Sequence, residues 1–242
     1  MRLVFFVVGL LVSIGAHAQD SLFRTITFNN NRYFVADIDL KKYNIGLFNK
    51  LDVKHSQDDF ASIDSVTGKK LVLIVNGGMF QKDLRPLGLY VSSGKTYMNV
   101  KRDTSGYGNF YMQPNGIFIL DKNSKATVIT TKEYSEKSVV TLATQSGPML
   151  VTRGVINSHF TPGSSNLNIR NGVGINKQGH VVLVISEDQV NFYDFAKLYR
   201  DQLGCKSALY LDGVVCQYYS PELHQAPRQT IPLGVFIVVT KK

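Results

Sequence analysis

Apolar residues in this chain come mostly in short runs, separated by Gly, Asn, Ser and Lys. That spacing predicts strands and tight turns rather than long helices. The first pair is TITF (25–28) and RYFVADIDL (32–40), joined by Asn29-Asn30-Asn31, where asparagine tolerates the left-handed conformation. LVLIV (71–75) is five β-favouring apolar residues and reads as a buried strand. The middle of the chain alternates runs and turns: 88–91 with 96–100, 117–120 with 126–130, then 140–144, 149–151 and 155–157. Each neighbouring pair reads as a hairpin.

Two stretches have helical period. Ser56-Gln57-Asp58-Asp59 resembles a capping box and predicts a short helix ending near Gly68. Asn191 is a favoured N-cap. After it, Phe192, Phe195, Ala196, Tyr199 and Leu203 fall on one helical face, and Gly204 follows as a stop. This second helix lies between HVVLVIS (180–186) and ALYLD (208–212), and VGIN (173–176) precedes it as a hairpin partner. Many antiparallel hairpins plus one late β-α-β unit predict an α+β fold with a mixed sheet, in a single domain.

The N-terminus changes that picture for residues 1–18. Arg2, an apolar stretch from Leu3 to Ile14 and Ala16-His17-Ala18 read as a secretory signal peptide cleaved after Ala18. The apolar part is too short to span a bilayer. The expected mature chain is 19–242, secreted or periplasmic, with formal charge lowered from +9 to +8. A basic exported protein suits phosphates or anionic glycans. No Lys/Arg block favours nucleic acid, and export argues against it. Cys205 and Cys216 are not expected to bond. If 207–212 is extended, the chain travels roughly 20 Å away. The four residues left reach back only about 14 Å.

A right-handed crossover would make 180–186 and 208–212 parallel. Glu187 and Asp212 then stand at one edge, where ligands of such sheets commonly bind. The antiparallel partner brings Arg170 and Asn171 to the same edge. A surface ion pair is the plainer reading of those charges. Asn76-Gly77-Gly78 also follows a strand and reaches the same edge if that strand joins the sheet in parallel; its glycines permit close approach to a ligand or simply make a turn. Gln145-Ser146-Gly147-Pro148 is a similar polar loop. Glu187 and Asp212 are thus two carboxylates, with Arg170, that converge on a possible ligand site. Asp188 and Asp194 are rival carboxylates, with Asp194 better read as a helix-start residue. His159 and His224 lie in polar loops. There is no HExxH, no zinc-like Cys/His set and no G-x-S-x-G elbow. No cofactor is expected, and a divalent cation stays open.

Taken in order, NGGMF (76–80), PLGLYVSSGK (86–95), GNFYMQPNGIF (108–118), ATQSGPMLV (143–151), RNGVGIN (170–176), VISEDQVNFYDFAKLYRDQLGC (184–205) and ALYLDG (208–213) resemble the phosphodiester glycosidase family, in particular its exported bacterial, often exopolysaccharide-associated members. The resemblance implies hydrolysis at the anomeric carbon of a sugar-1-phosphodiester, in the manner of an N-acetylglucosamine-1-phosphodiester α-N-acetylglucosaminidase, on phosphorylated or envelope glycan. It also implies that Asn76, Gly77, Gly78, Ser146, Gly147, Arg170, Glu187, Asp212 and Gly213 line the pocket, with Glu187 and Asp212 as the two catalytic carboxyl groups around the sugar carbon, Arg170 neutralising the phosphodiester, Asn76, Gln145 and Asn171 binding sugar hydroxyls, and Tyr107 or Phe110 packing on a sugar face, although the core is an equal claim on Phe110. One departure is Val214-Val215-Cys216 after Gly213, in place of a Gly/Ser-rich turn, which argues against a nest of backbone amides there. A P–O-cleaving phosphodiesterase and a non-catalytic glycan-binding module are the alternatives.

Overall fold

The computed structural model describes residues 22–52, 59–137, 139–213, 216–224 and 229–242. The leader read over 1–18 and Ser56, read as the start of a capping box, lie outside them. The chain opens with β1 (Phe23–Phe28), β2 (Asn31–Ile38) and β3 (Tyr43–Phe48), then α1 (Phe60–Thr67) and β4 (Leu71–Asn76). Next come β5 (Tyr90–Ser92), β6 (Lys95–Met98), β7 (Gly116–Asp121), β8 (Ala126–Thr130), β9 (Val140–Ser146), β10 (Met149–Thr152) and β11 (Val155–Ile156). The last third has β12 (Asn171–Ile175), β13 (Val181–Ser186), α2 (Phe192–Lys197), β14 (Ser207–Asp212), β15 (Tyr218–Tyr219) and β16 (Phe236–Lys241).

These strands form three sheets, each with antiparallel neighbours. Their orders are β1-β2-β13-β12-β14-β10-β11, β15-β4-β16-β3 and β6-β5-β9-β7-β8. The inner faces of all three meet in one core, with Ile185 and Leu211 from the first sheet, Val75 and Ile237 from the second, and Phe118 and Leu142 from the third. The first sheet's other face is covered by α2 through Phe192, Phe195 and Ala196. Three apolar faces closing on one another explain why the strands read as continuous apolar runs.

The expected β-α-β unit is present. β13 and β14 each pair antiparallel with β12, so they run parallel with β12 between them. Asn191 caps α2, its side chain accepting from the Asp194 amide at 2.8 Å. Asp194 is thus a helix-start residue. α1 is capped by Asp59, which accepts from the Ser62 amide at 2.7 Å. Asn29 and Asn30 have φ of 49° and 62° and turn β1 into β2 as their side chains allow.

Three findings differ from the sequence expectation. β16 pairs with both β3 and β4 at the heart of the second sheet, and neither β3 nor β16 was expected. β4 belongs to that sheet, not to the one holding β13 and β14. β12 begins at Asn171, so this residue lies within the ladder rather than before it. Cys205 and Cys216 are both free, as the spacing argument requires. Burial pushes the Cys205 thiol up to about 12. Without reductant, the unfolded protein is expected to alkylate at both cysteines with iodoacetamide, and the native protein to leave Cys205 unmodified; mass spectrometry reads both.

Candidate active site

Asp212 ends β14, on the strand edge the topology singled out, and hydrogen bonds from two other strands fix it there. The Asn76 side-chain amide donates to Asp212 Oδ2 at 3.1 Å, and the Gly213 amide to Oδ1 at 2.6 Å. The Asp212 backbone N–H donates to Asn171 Oδ1 at 2.7 Å. Asn171 in turn donates from Nδ2 to the Asn76 carbonyl at 2.8 Å. Asn76, Asn171 and Asp212 are therefore one closed polar cluster across two sheets. Burial raises the Asp212 carboxyl to about 6, against the opposing pull of the Gly213 amide and the Asn76 side chain. Desolvation penalises the charged form more than those two donors favour it.

A register shift prepares this arrangement. Gly172 pairs with Tyr210 but Asn171 pairs with Asp212, so one extra β14 residue is accommodated at Leu211. Tyr210 packs in the α2 layer while Leu211 joins the central core. The Tyr210 hydroxyl lies under the turn: a Cβ built on Gly213 would fall 2.1 Å from it. Only glycine fits there. Burial, and then the neighbouring Asp212 carboxylate, push the Tyr210 phenol up, while the Arg170 guanidinium pulls it down.

Arg170 reaches this edge from behind. It is 1 % exposed, and its guanidinium stacks 3.6 Å from the Phe192 ring centroid and 5.7 Å from that of Tyr210. Nε donates to the Val190 carbonyl at 2.7 Å and Nη2 to the Asn166 carbonyl at 2.9 Å. It makes no carboxylate ion pair among the described residues. Burial lowers its basicity. The surface ion pair that was the plainer sequence reading of Arg170 is therefore not what the side chain makes. It is a desolvated cation joined to Asp212 through Tyr210, a residue the sequence reading did not single out.

Glu187 stands just beyond β13, two strand positions from Asp212. Its carboxylate is 3.6 Å from Arg32 Nε, and its backbone N–H donates to the Arg32 carbonyl at 2.9 Å. No hydrogen bond or ion pair links it to Arg170 or Asp212 among the described residues. The rival Asp188 accepts from the Arg32 amide at 2.7 Å, a local strand-end role.

The remaining candidates divide. Gly77 and Gly78 continue from Asn76. A Cβ on Gly77 would sit 2.8 Å from the Ile237 nitrogen, and the Gly78 amide donates to Asn76 Oδ1 at 3.2 Å. These glycines shape the Asn76 turn, and their amides serve the protein itself. Ser146 donates from Oγ to the Leu211 carbonyl at 2.8 Å, holding β14 just before Asp212. Gly147 packs against Asn115 and the Phe110 carbonyl. Gln145 is buried and fully engaged: Oε1 accepts from the Leu89 and Lys101 amides, and Nε2 donates to the Lys101 carbonyl and Thr131 Oγ1. It is a brace for a neighbouring segment, with no group left for a sugar hydroxyl. Phe110 is buried in the protein, Tyr107 is fully exposed, and His159 and His224 are exposed. No group of three His, Cys, Asp or Glu side chains suited to a metal occurs among the described residues.

The comparison with known proteins accords with this geometry. A family model described as phosphodiester glycosidase matches residues 69–217, which include every candidate from Asn76 to Gly213. The chain belongs to the phosphodiester glycosidase family. It is 37% identical over 172 residues to the uncharacterized protein YigE of Escherichia coli (strain K12), covering 70% of this chain and 66% of YigE. The match thus spans just under two thirds of that relative's length. Among solved structures, the family fold recurs in the zebrafish N-acetylglucosamine-1-phosphodiester alpha-N-acetylglucosaminidase catalytic domain, auto-inhibited by its pro-peptide. That likeness has a TM-score of 0.62 at 16% identity, over 93% of this chain and 86% of that one. A protein of Burkholderia pseudomallei K96243 described as exported is similar with a TM-score of 0.58 at 11% identity, over 86% and 74% of the two chains. At such identities these likenesses speak for the fold. No helix among the described residues is long and apolar enough to cross a membrane.

Proposed function

We propose that this chain is an exported hydrolase that cleaves the anomeric C–O bond of a sugar-1-phosphodiester, with Asp212 as the group that moves the proton. The observation that carries this reading is the state of Asp212: a desolvated carboxyl raised to about 6 and held by Asn76 and Gly213 at the strand edge. A carboxyl that titrates so close to neutrality is matched to general-base work. In its ionised form it takes a proton from a water attacking C1. The C1–O bond breaks with its electron pair going to the phosphate oxygen. A phosphomonoester leaves as an anion and needs little proton donation, so one well-placed carboxylate is enough for the proton transfer.

Asn171 and Asn76 keep the carboxylate oriented. Glu187, at the end of the parallel strand β13, contributes negative charge toward the cationic character that grows at C1. Arg170 is buried too deeply to grip the phosphate itself. Its uncompensated charge acts through the buried Tyr210 hydroxyl beneath Gly213, which favours from below the negative charge of a leaving phosphate. The leader read over 1–18 and the exported neighbour both support action outside the cytoplasm, on phosphorylated or envelope glycan. The sugar in the zebrafish enzyme's name makes an N-acetylglucosamine-1-phosphodiester the first substrate to try.

Hydrolysis in ¹⁸O-water is the test. Label is expected in the released sugar and absent from the phosphate. Label in the phosphate would instead establish P–O cleavage, and binding of glycan with no turnover across a panel of sugar-1-phosphodiesters would make the chain a binding module.

A further inference from the structure

Gln81, Leu87 and the segment 97–103 line an open groove of about 470 Å³ that includes Tyr97, Asn99 and Lys101. We propose that this groove, together with the Tyr107 loop that Lys101 meets through Tyr111, binds an oligosaccharide: the sugar chain that extends beyond the phosphate of the substrate. The word substrate rests on the function proposed above; the binding of glycan does not.

The groove is framed by the same residues that frame the site. The Leu87 amide donates to the Met79 carbonyl at 3.0 Å, closing the groove's wall onto the turn that begins at Asn76. Gln145 braces Lys101 at both its amide and its carbonyl, at 2.9 and 2.6 Å. The next residue, Ser146, holds Leu211, one position before Asp212. Two consecutive residues of β9 therefore lock the groove and the candidate catalytic carboxyl into one rigid frame. A ligand seated in the groove would be held at a constant offset from Asp212.

The rim has the chemistry of a sugar-stacking platform. Lys101 Nζ lies 5.5 Å from the Tyr111 ring centroid. The Tyr111 ring packs against Gly106, where a Cβ would come within 2.5 Å of ring carbons. Tyr107 follows, fully exposed, between Gly106 and Gly108. Burying an aromatic ring is favourable, and the fold leaves all of that unused at Tyr107. A tyrosine loses few rotamers on binding and presents an apolar face with a polar end, which fits the C–H face and hydroxyls of a pyranose. Asn99 is exposed, and Gln81 Nε2 donates to the Pro86 carbonyl while its side-chain oxygen meets no donor among the described residues. These groups offer both donors and acceptors to sugar hydroxyls. The nearby charges, Lys101 with Asp103 at 3.8 Å, nearly balance, which favours a polar chain over a highly charged one.

The test measures binding without turnover. Saturation-transfer NMR and calorimetry are run on the full mature chain with three uncharged, phosphate-free hexamers: chitohexaose, maltohexaose and cellohexaose. At least one hexamer is expected to bind the wild type. Tyr107→Ala is expected to weaken that binding at least tenfold at unchanged thermal unfolding, and Tyr107→Phe to stay within about twofold. Absence of binding by all three at millimolar concentration overturns the proposal, as does equal binding by Tyr107→Ala and the wild type. These hexamers contain no phosphodiester, so failure of the hydrolytic reading leaves the result standing.

Discussion

Asp212→Asn is expected to lower kcat on a sugar-1-phosphodiester by about 10²–10⁴-fold, the usual worth of a positioned general base. The wild-type rate should fall on the acid side with an apparent pKa near 6, the position to which burial brings this carboxyl. The variant's residual rate should lack that limb. The same group predicts a pH effect on stability. Its folded pKa stands above the unfolded 3.8, so the folded state binds more protons between pH 3.8 and about 6. The contribution of Asp212 to stability is therefore complete below that window and declines as pH rises through it. The rise from 3.8 to about 6 corresponds to at most about 3 kcal/mol. Chemical denaturation at a series of pH values, wild type against Asp212→Asn, isolates the effect: the variant should lack this fall. A wild-type acid limb that survives unchanged in an active Asp212→Asn variant would remove the residue from the mechanism.

Arg170→Met should separate folding from activity. The guanidinium is desolvated and has no carboxylate beside it among the described residues, so much of its packing on Phe192 is offset by the cost of burying charge. Methionine keeps the apolar contact. The Val190 carbonyl would still accept from the Asn168 amide at 3.2 Å. Stability is expected to change by no more than about 2 kcal/mol in either direction. Activity is expected to fall at least a hundredfold, because Tyr210 would lose the charge that lowers its phenol. Melting temperature and kcat/KM on the same preparation decide the matter. A stable variant with full activity would show that the charge serves neither purpose.

The chain's own pattern was a good guide to elements and a partial one to their assembly. The β13–α2–β14 unit was legible because a capped helix of clear period lies between two apolar runs. It brought Arg170, Asn171, Glu187 and Asp212 to one edge. Asn76 arrives at that edge from a different sheet, across a contact that no local pattern encodes. Gln145 shows the opposite failure: a polar residue after a strand looks available for ligand, and only the tertiary structure reveals its four partners. Arg170 looked like half of a surface pair because sequence does not tell which face of β12 its side chain takes. The face that Asp212 takes was hidden by the register shift, since regular alternation gives no warning of an extra residue. FIVVT within β16 carries as clear a signal as LVLIV and needed only to be weighed with it.

That extra residue has a wider consequence. Leu211 acts as a phase switch for the end of β14, letting a tyrosine belong to the helix-covered layer while the aspartate two places on faces the asparagines. A relative that kept these three residues in regular alternation would present the tyrosine and the carboxylate on one face. Its tyrosine and carboxylate could then align perfectly, letter for letter, and still build a different pocket.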